Sequence, residues 1–193
     1  MTIGDYVDSL VGDIERAGLE DIVIVGHSMG GLPLPGVVTK LGAVLVRKVI
    51  FAASFLPREG TSIVDGSPWL IATVARPIAK KNVPTPTPKW YARFVFMNGV
   101  PSHRRRFLTG KLYAESLRIL TEKVSRRGMP DEIPRTWILT LRDRALSPKV
   151  QRKYIDALGG VQTLIEVDTC HMVMVSEPKR LASILVERCR LYT

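Results

Sequence analysis

The chain has 193 residues, with 46% hydrophobic and 24% charged side chains, which is enough for one domain with a substantial core and short for two. That composition excludes a disordered chain, and no apolar run reaches the roughly 18 residues a membrane-spanning helix needs. The net charge of +10 is local: from Arg76 to Arg127 thirteen Lys or Arg face two acids, Glu115 and Glu122, an excess of eleven that leaves the remainder at −1.

In chain order, Ile3, Tyr6, Val7, Leu10, Val11 and Ile14 recur at helical spacing, with Thr2 as cap and Gly18 as stop. The acids in this helix and the lack of a basic start followed by an apolar run are not those of a secretory leader. Residues 22–25 (IVIV) predict a buried parallel strand, followed by a Gly-rich turn over 26–31 and a helix to about residue 45. Further strands are predicted at 48–53, 137–141 and 163–167, with helices at 151–158 and 178–190. The alternation implies an α/β fold: a parallel sheet of about four strands flanked by helices. Residues 58–134 are too long for a simple connection and are read as a basic lid or cap, Pro-rich and then helical from about 103 to 127. The core is then 1–57 with 135–193. Cys170 and Cys189 make neither a disulfide framework nor a metal pair and read as reduced thiols of a cytoplasmic protein.

Gly26-His27-Ser28-Met29-Gly30 fits the G-x-S-x-G turn that presents a nucleophilic serine. By composition roughly one chain in twenty of this size matches it by chance, so its setting between a strand and a helix carries the weight. There a strained turn exposes the serine, the glycines admit close backbone, and the Met29 N–H can donate to an oxyanion. A serine nucleophile needs a base. His27 lies inside the motif, and His103 stands beside three arginines as a surface residue. That leaves His171, just past the last predicted strand, with a partly buried packing role as the structural alternative. The acid is expected between the two, and Asp143 follows the third strand; a turn residue or an ion pair with Arg142 and Arg144 is the other reading. Asp168 and Glu166 share a strand end with the histidine and are weaker candidates.

Four stretches together resemble the α/β-hydrolase superfamily, and within it the small esterases related to plant methylesterases and hydroxynitrile lyases. They are VIVGHSMGG (23–31), VIFAASFLPREGTS (49–62), PRTWILTLRDRALSP (134–148) and VDTCHMVMVSEP (167–178). The resemblance implies a truncated α/β-hydrolase fold with a helical lid. It also implies a carboxylic-ester hydrolase that works through an acyl-enzyme on small or medium esters, with Ser28, Asp143 and His171 as triad and no metal or organic cofactor. Members carry a longer N-terminal segment, including the loop that gives the second oxyanion donor, whereas this chain opens on the helix before the nucleophile strand. That strand is then expected at a sheet edge, where an apolar run is a pairing surface for a second copy of the chain.

Within the insertion, Trp90, Phe94 and Phe96 are candidates for lining the acyl pocket. The basic excess with Trp90, Tyr91, Phe94, Phe96 and Phe107 reads either as an attractor for an acidic partner or as a solvated face over aromatics packed on the core. No nucleic-acid-binding module accompanies it. Two other readings follow: a hydroxynitrile-lyase-like use of the same triad with a lid lysine (Lys80, Lys81 or Lys89), and a non-catalytic binding protein on the same scaffold.

Overall fold

The computed structural model describes residues 1–67, 69–80 and 83–190 of the chain. Helix α1 (Ile3–Arg16) starts in a capping box, in which the Asp5 N–H donates to Thr2 Oγ1 at 3.1 Å and the Thr2 N–H to Asp5 Oδ2 at 2.7 Å. It ends in a Schellman turn closed by Leu19 N–H to the Ile14 carbonyl, with Gly18 at φ +59°. Strand β1 (Ile22–His27), a 3₁₀ turn (Ser28–Gly31) and α2 (Leu34–Leu45) follow, then β2 (Val46–Ala52). The interruption before α2 comes from Pro33 and Pro35, which lack N–H donors and are tolerated only in a first turn.

Residues 58–134 hold α3 (Trp69–Lys80), β3 (Pro84–Thr85), α4 (Lys89–Val95), α5 (Ser102–Thr109) and β4 (Glu115–Ser116), with β3 and β4 antiparallel. The long helix expected from 103 to 127 is corrected. It stops at Gly110, the C-cap of α5, and the chain then runs through β4 into a 3₁₀ turn at Leu117–Leu120. Helices α3 and α4 stand in the stretch read as Pro-rich, with Pro77 inside α3 and Pro88 as the cap of α4. The chain closes with β5 (Arg135–Thr140), α6 (Pro148–Ala157), β6 (Thr163–Val167), α7 (Val173–Ser176) and α8 (Pro178–Arg190).

The main sheet is wholly parallel in the order β1-β2-β5-β6, with Phe51 opposite Trp137 and Thr140 opposite Val167. Central β5 is buried throughout, as a strand covered on both faces must be. Val37, Val38 and Leu41 of α2 and Ile155 of α6 cover one face around the stacked Phe51 and Trp137 rings, while Ile184 of α8 and Val173 cover the other. β1, expected as a buried strand, is half-buried, with Val25 exposed; among the described residues it pairs only with β2.

The insertion packs on the loop after β6 through Ala92, Met97, Val100 and Cys170. Of its aromatics Phe96 packs against this cluster, whereas Trp90, Phe94 and Phe107 are exposed, with Arg144 over Phe94 and Lys111 over Phe107. Cys170 is a buried free thiol and Cys189 an exposed one. Among the described residues no helix is long and apolar enough to cross a membrane.

Candidate active site

In a parallel sheet all strands end at one edge, so residues just past different strands converge there. Ser28 follows β1, Asp143 follows β5 and His171 follows β6. The structure brings the three side chains together: His171 Nε2 lies 2.8 Å from Ser28 Oγ, and His171 Nδ1 lies 2.7 Å from Asp143 Oδ2. A carboxylate only accepts, so Nδ1 carries the proton and Nε2 is left to accept from the Ser28 hydroxyl.

Each member is fixed by its own surroundings. Ser28 has φ +53°, a strained value that the turn around it imposes. A Cβ on Gly26 would sit 2.8 Å from the Gly30 carbonyl oxygen, and one on Gly31 would sit 2.6 Å from the Ser54 Cβ. Gly30, in contrast, has open space, so the close approaches fall on Gly26 and Gly31. After β2 the chain kinks at Ala53 (φ +43°), which lets Ser54 Oγ donate to the Gly26 carbonyl at 2.7 Å and Phe55 N–H to the Ser28 carbonyl at 2.9 Å. The Met29 N–H stands in the first turn of the 3₁₀ segment, ahead of its internal hydrogen bonds.

Asp143 is buried and accepts four hydrogen bonds. Oδ1 takes the Ala145 and Leu146 N–H groups, both at 2.8 Å, while Oδ2 takes Thr140 Oγ1–H at 2.9 Å and His171 Nδ1–H. Arg142, read as a possible partner for Asp143, instead pairs with Asp168 at 2.9 Å, and Glu166 pairs with Arg152. Behind this turn Gln151 is fully buried and bonded to Trp137, Thr140 and Leu146.

The His171 ring is 2% exposed and sits among Phe55, Phe96 and His27, with centroids at 6.5, 5.5 and 4.8 Å. Of the three aromatics expected to line an acyl pocket, Phe96 reaches His171, while Trp90 and Phe94 face solvent. Hydrogen bonds tie the insertion to the site, among them Met172 N–H to the Phe96 carbonyl, Asn98 Nδ2 to the Arg142 carbonyl and Arg144 Nη1 to the Phe94 carbonyl. Lys80 ends α3 and Lys89 opens α4, both exposed; Lys81 lies outside the described residues. His103 is exposed on α5.

Ser54, Phe55 and Gln151 escaped the sequence reading as site residues. Ser54 and Phe55 lie in one of the four family-like stretches, but nothing local marks Gln151.

Burial first, and then the neighbouring His171, pushes His27 down from 6.5 to about 4. Unfolding restores the ordinary proton affinity, so the unfolded chain binds the extra proton between about pH 6.5 and 4. The stability owed to neutral His27 is complete above that window and is lost as pH falls through it. Urea unfolding from pH 7 to 4 is expected to show this loss, at up to about 1.4 kcal/mol per pH unit, and His27→Phe to show a flatter dependence. Parallel curves for the two proteins would contradict it.

Comparison with known proteins agrees with this architecture. The family model described as "Alpha/beta hydrolase family" matches residues 2–184. Salicylic acid-binding protein 2 from Nicotiana tabacum is 25% identical over 99% of this chain and 79% of its own length. A carbendazim hydrolyzing esterase from Nocardioides sp. (strain SG-4G) is 31% identical over 64 residues, 33% of this chain and 26% of that protein. Methylesterase 17 of Arabidopsis thaliana is 24% identical over 87% of this chain and 66% of its own. Thus the matched part spans about a quarter of the Nocardioides esterase and about two thirds of Methylesterase 17. Among solved structures, an extracellular alpha/beta-hydrolase from a Paenibacillus species superposes with TM-score 0.83 at 22% identity, over 97% of this chain and 79% of that one. A methylesterase from Arabidopsis does so with TM-score 0.70 at 19% identity, over 95% and 74%.

Proposed function

The chain belongs to the alpha/beta hydrolase family, and from that membership we propose that it is a carboxylic-ester hydrolase using Ser28, His171 and Asp143. One observation carries the reading: the unbroken hydrogen-bond chain from Ser28 Oγ through both nitrogens of a buried imidazole to the Asp143 carboxylate.

Ser28 Oγ attacks the ester carbonyl carbon while its proton passes to His171 Nε2. The tetrahedral oxyanion takes the Met29 N–H, and Asp143 stabilises the imidazolium. Collapse expels the alcohol, which receives the proton from Nε2, and leaves an acyl ester on Ser28. Water deprotonated by His171 then attacks that ester, releasing the carboxylic acid and restoring the serine. The relative named Methylesterase 17 supports methyl esters as the substrate class. Residues 58–134 serve as the lid, placing Phe96 beside the acyl group.

p-Nitrophenyl acetate, p-nitrophenyl butyrate and a panel of aryl methyl esters test this. The wild type is expected to turn over and to be labelled by a fluorophosphonate, and Ser28→Ala to lose label and fall by roughly 10⁴-fold or more. Equal rates for the two proteins would remove the proposal.

A further inference from the structure

His27 touches both the backbone and the ring of His171 without belonging to the hydrogen-bond chain just described. Its Nε2 lies 2.8 Å from the backbone carbonyl oxygen of His171, and its ring centroid lies 4.8 Å from the His171 ring. A carbonyl can only accept, so Nε2 carries the proton. The same carbonyl also accepts from the Val173 N–H at 3.0 Å.

We propose that His27 is a positioning residue for His171: its Nε2–H clamps the carbonyl of the base to the end of β1, the strand that presents Ser28. The inference rests on the ester-hydrolase reading and adds a component to it.

The physical need arises from the reaction cycle. The Ser28–His171 hydrogen bond cannot persist, because acylation converts the Ser28 oxygen to an ester with no proton to donate. The bond to Asp143 holds the imidazole through its ring and leaves the backbone behind that ring to other supports. A clamp on the carbonyl survives every protonation step, since an amide oxygen does not titrate in this range. Residues 27 and 28 are adjacent, so the clamp ties the base to the nucleophile by the shortest covalent route available. The ring's neutrality contributes as well, because a cation 4.8 Å away would oppose the imidazolium that forms on His171. The groups packed on the His171 ring are Ser28, Asp143, His27, Phe55 and Phe96, of which Asp143 and His27 carry ionisable side chains.

The test separates position from bulk. His27→Phe keeps an aromatic ring and removes the donor. His27→Gln places an amide N–H as many bonds from the backbone as Nε2, whereas His27→Asn stops one bond short. For p-nitrophenyl butyrate the expectation is a kcat about 10- to 100-fold lower in the Phe and Asn variants, with KM within about threefold, and substantial recovery in the Gln variant. The proton NMR signal of His171 Nδ1–H is expected to broaden in the Phe and Asn proteins and to sharpen again with Gln. Wild-type kcat in His27→Phe, or equal kcat in the Gln and Asn variants, would overturn the proposal. A wild type without serine-dependent turnover removes the esterase reading instead. The NMR comparison then decides the clamp by itself: equal Nδ1–H line shapes in the Phe and Gln variants would overturn it.

Discussion

Asp143→Asn is expected to lower kcat for ester hydrolysis by about 10⁴-fold while leaving the protein folded. The direction of the new amide is set by the partners of the carboxylate. Oδ1 accepts two backbone N–H groups, from Ala145 and Leu146. An NH₂ there would face two donors, so the asparagine oxygen must take that place and its NH₂ must take the place of Oδ2. His171 Nδ1 then meets a donor and has to give up its proton, which moves to Nε2. In that tautomer Nε2 can no longer accept from Ser28, and the serine loses its base although no atom has moved far. Steady-state kinetics with p-nitrophenyl butyrate check this, and a rate within tenfold of wild type would show that the proton does not reside where the hydrogen bonds place it.

Features written in local chemistry were legible from the residues. Thr2 and Gly18 bracket α1 because a cap hydroxyl and a left-handed stop act within one turn. Four short apolar runs became the four parallel strands, and strand ends of a parallel sheet share one edge. That geometry is why Ser28, Asp143 and His171, named from their places after strands, stand in contact. Helices α3 and α4 were hidden because Pro77 and Pro88 argue against helix on local grounds. The long helix expected after residue 103 fails at Gly110 for a reason visible in the sequence and underweighted there. Ser54 and Gln151 were out of reach for a different reason: each acts on partners 28 and 11 residues away, which only the folded chain assembles.

Gln151→Leu is expected to be among the most destabilising substitutions in the core, and to slow the reaction without touching the triad. The side chain is fully buried, and both ends of its amide are in use. Its oxygen accepts from Trp137 Nε1 at 3.2 Å and the Thr140 N–H at 3.3 Å. Its NH₂ donates to the Thr140 carbonyl, Thr140 Oγ1 and the Leu146 carbonyl at 3.2, 3.0 and 2.8 Å. Leucine fills nearly the same volume and satisfies none of these groups. A buried donor or acceptor stripped of its partner costs about 1–3 kcal/mol, so the loss should reach about 3–5 kcal/mol and the melting temperature should fall by roughly 10 °C. Thr140 and Leu146 both bond to Asp143, so the same change loosens the turn that carries the acid. Because that turn fixes the His171 proton, kcat should fall more than tenfold at temperatures where the variant is still folded. Thermal unfolding and kinetics on one preparation separate the two effects. A destabilised variant with unchanged kcat would show that Asp143 is held by its own turn alone, whereas a joint loss would make Gln151 the brace through which the core sets the geometry of the site.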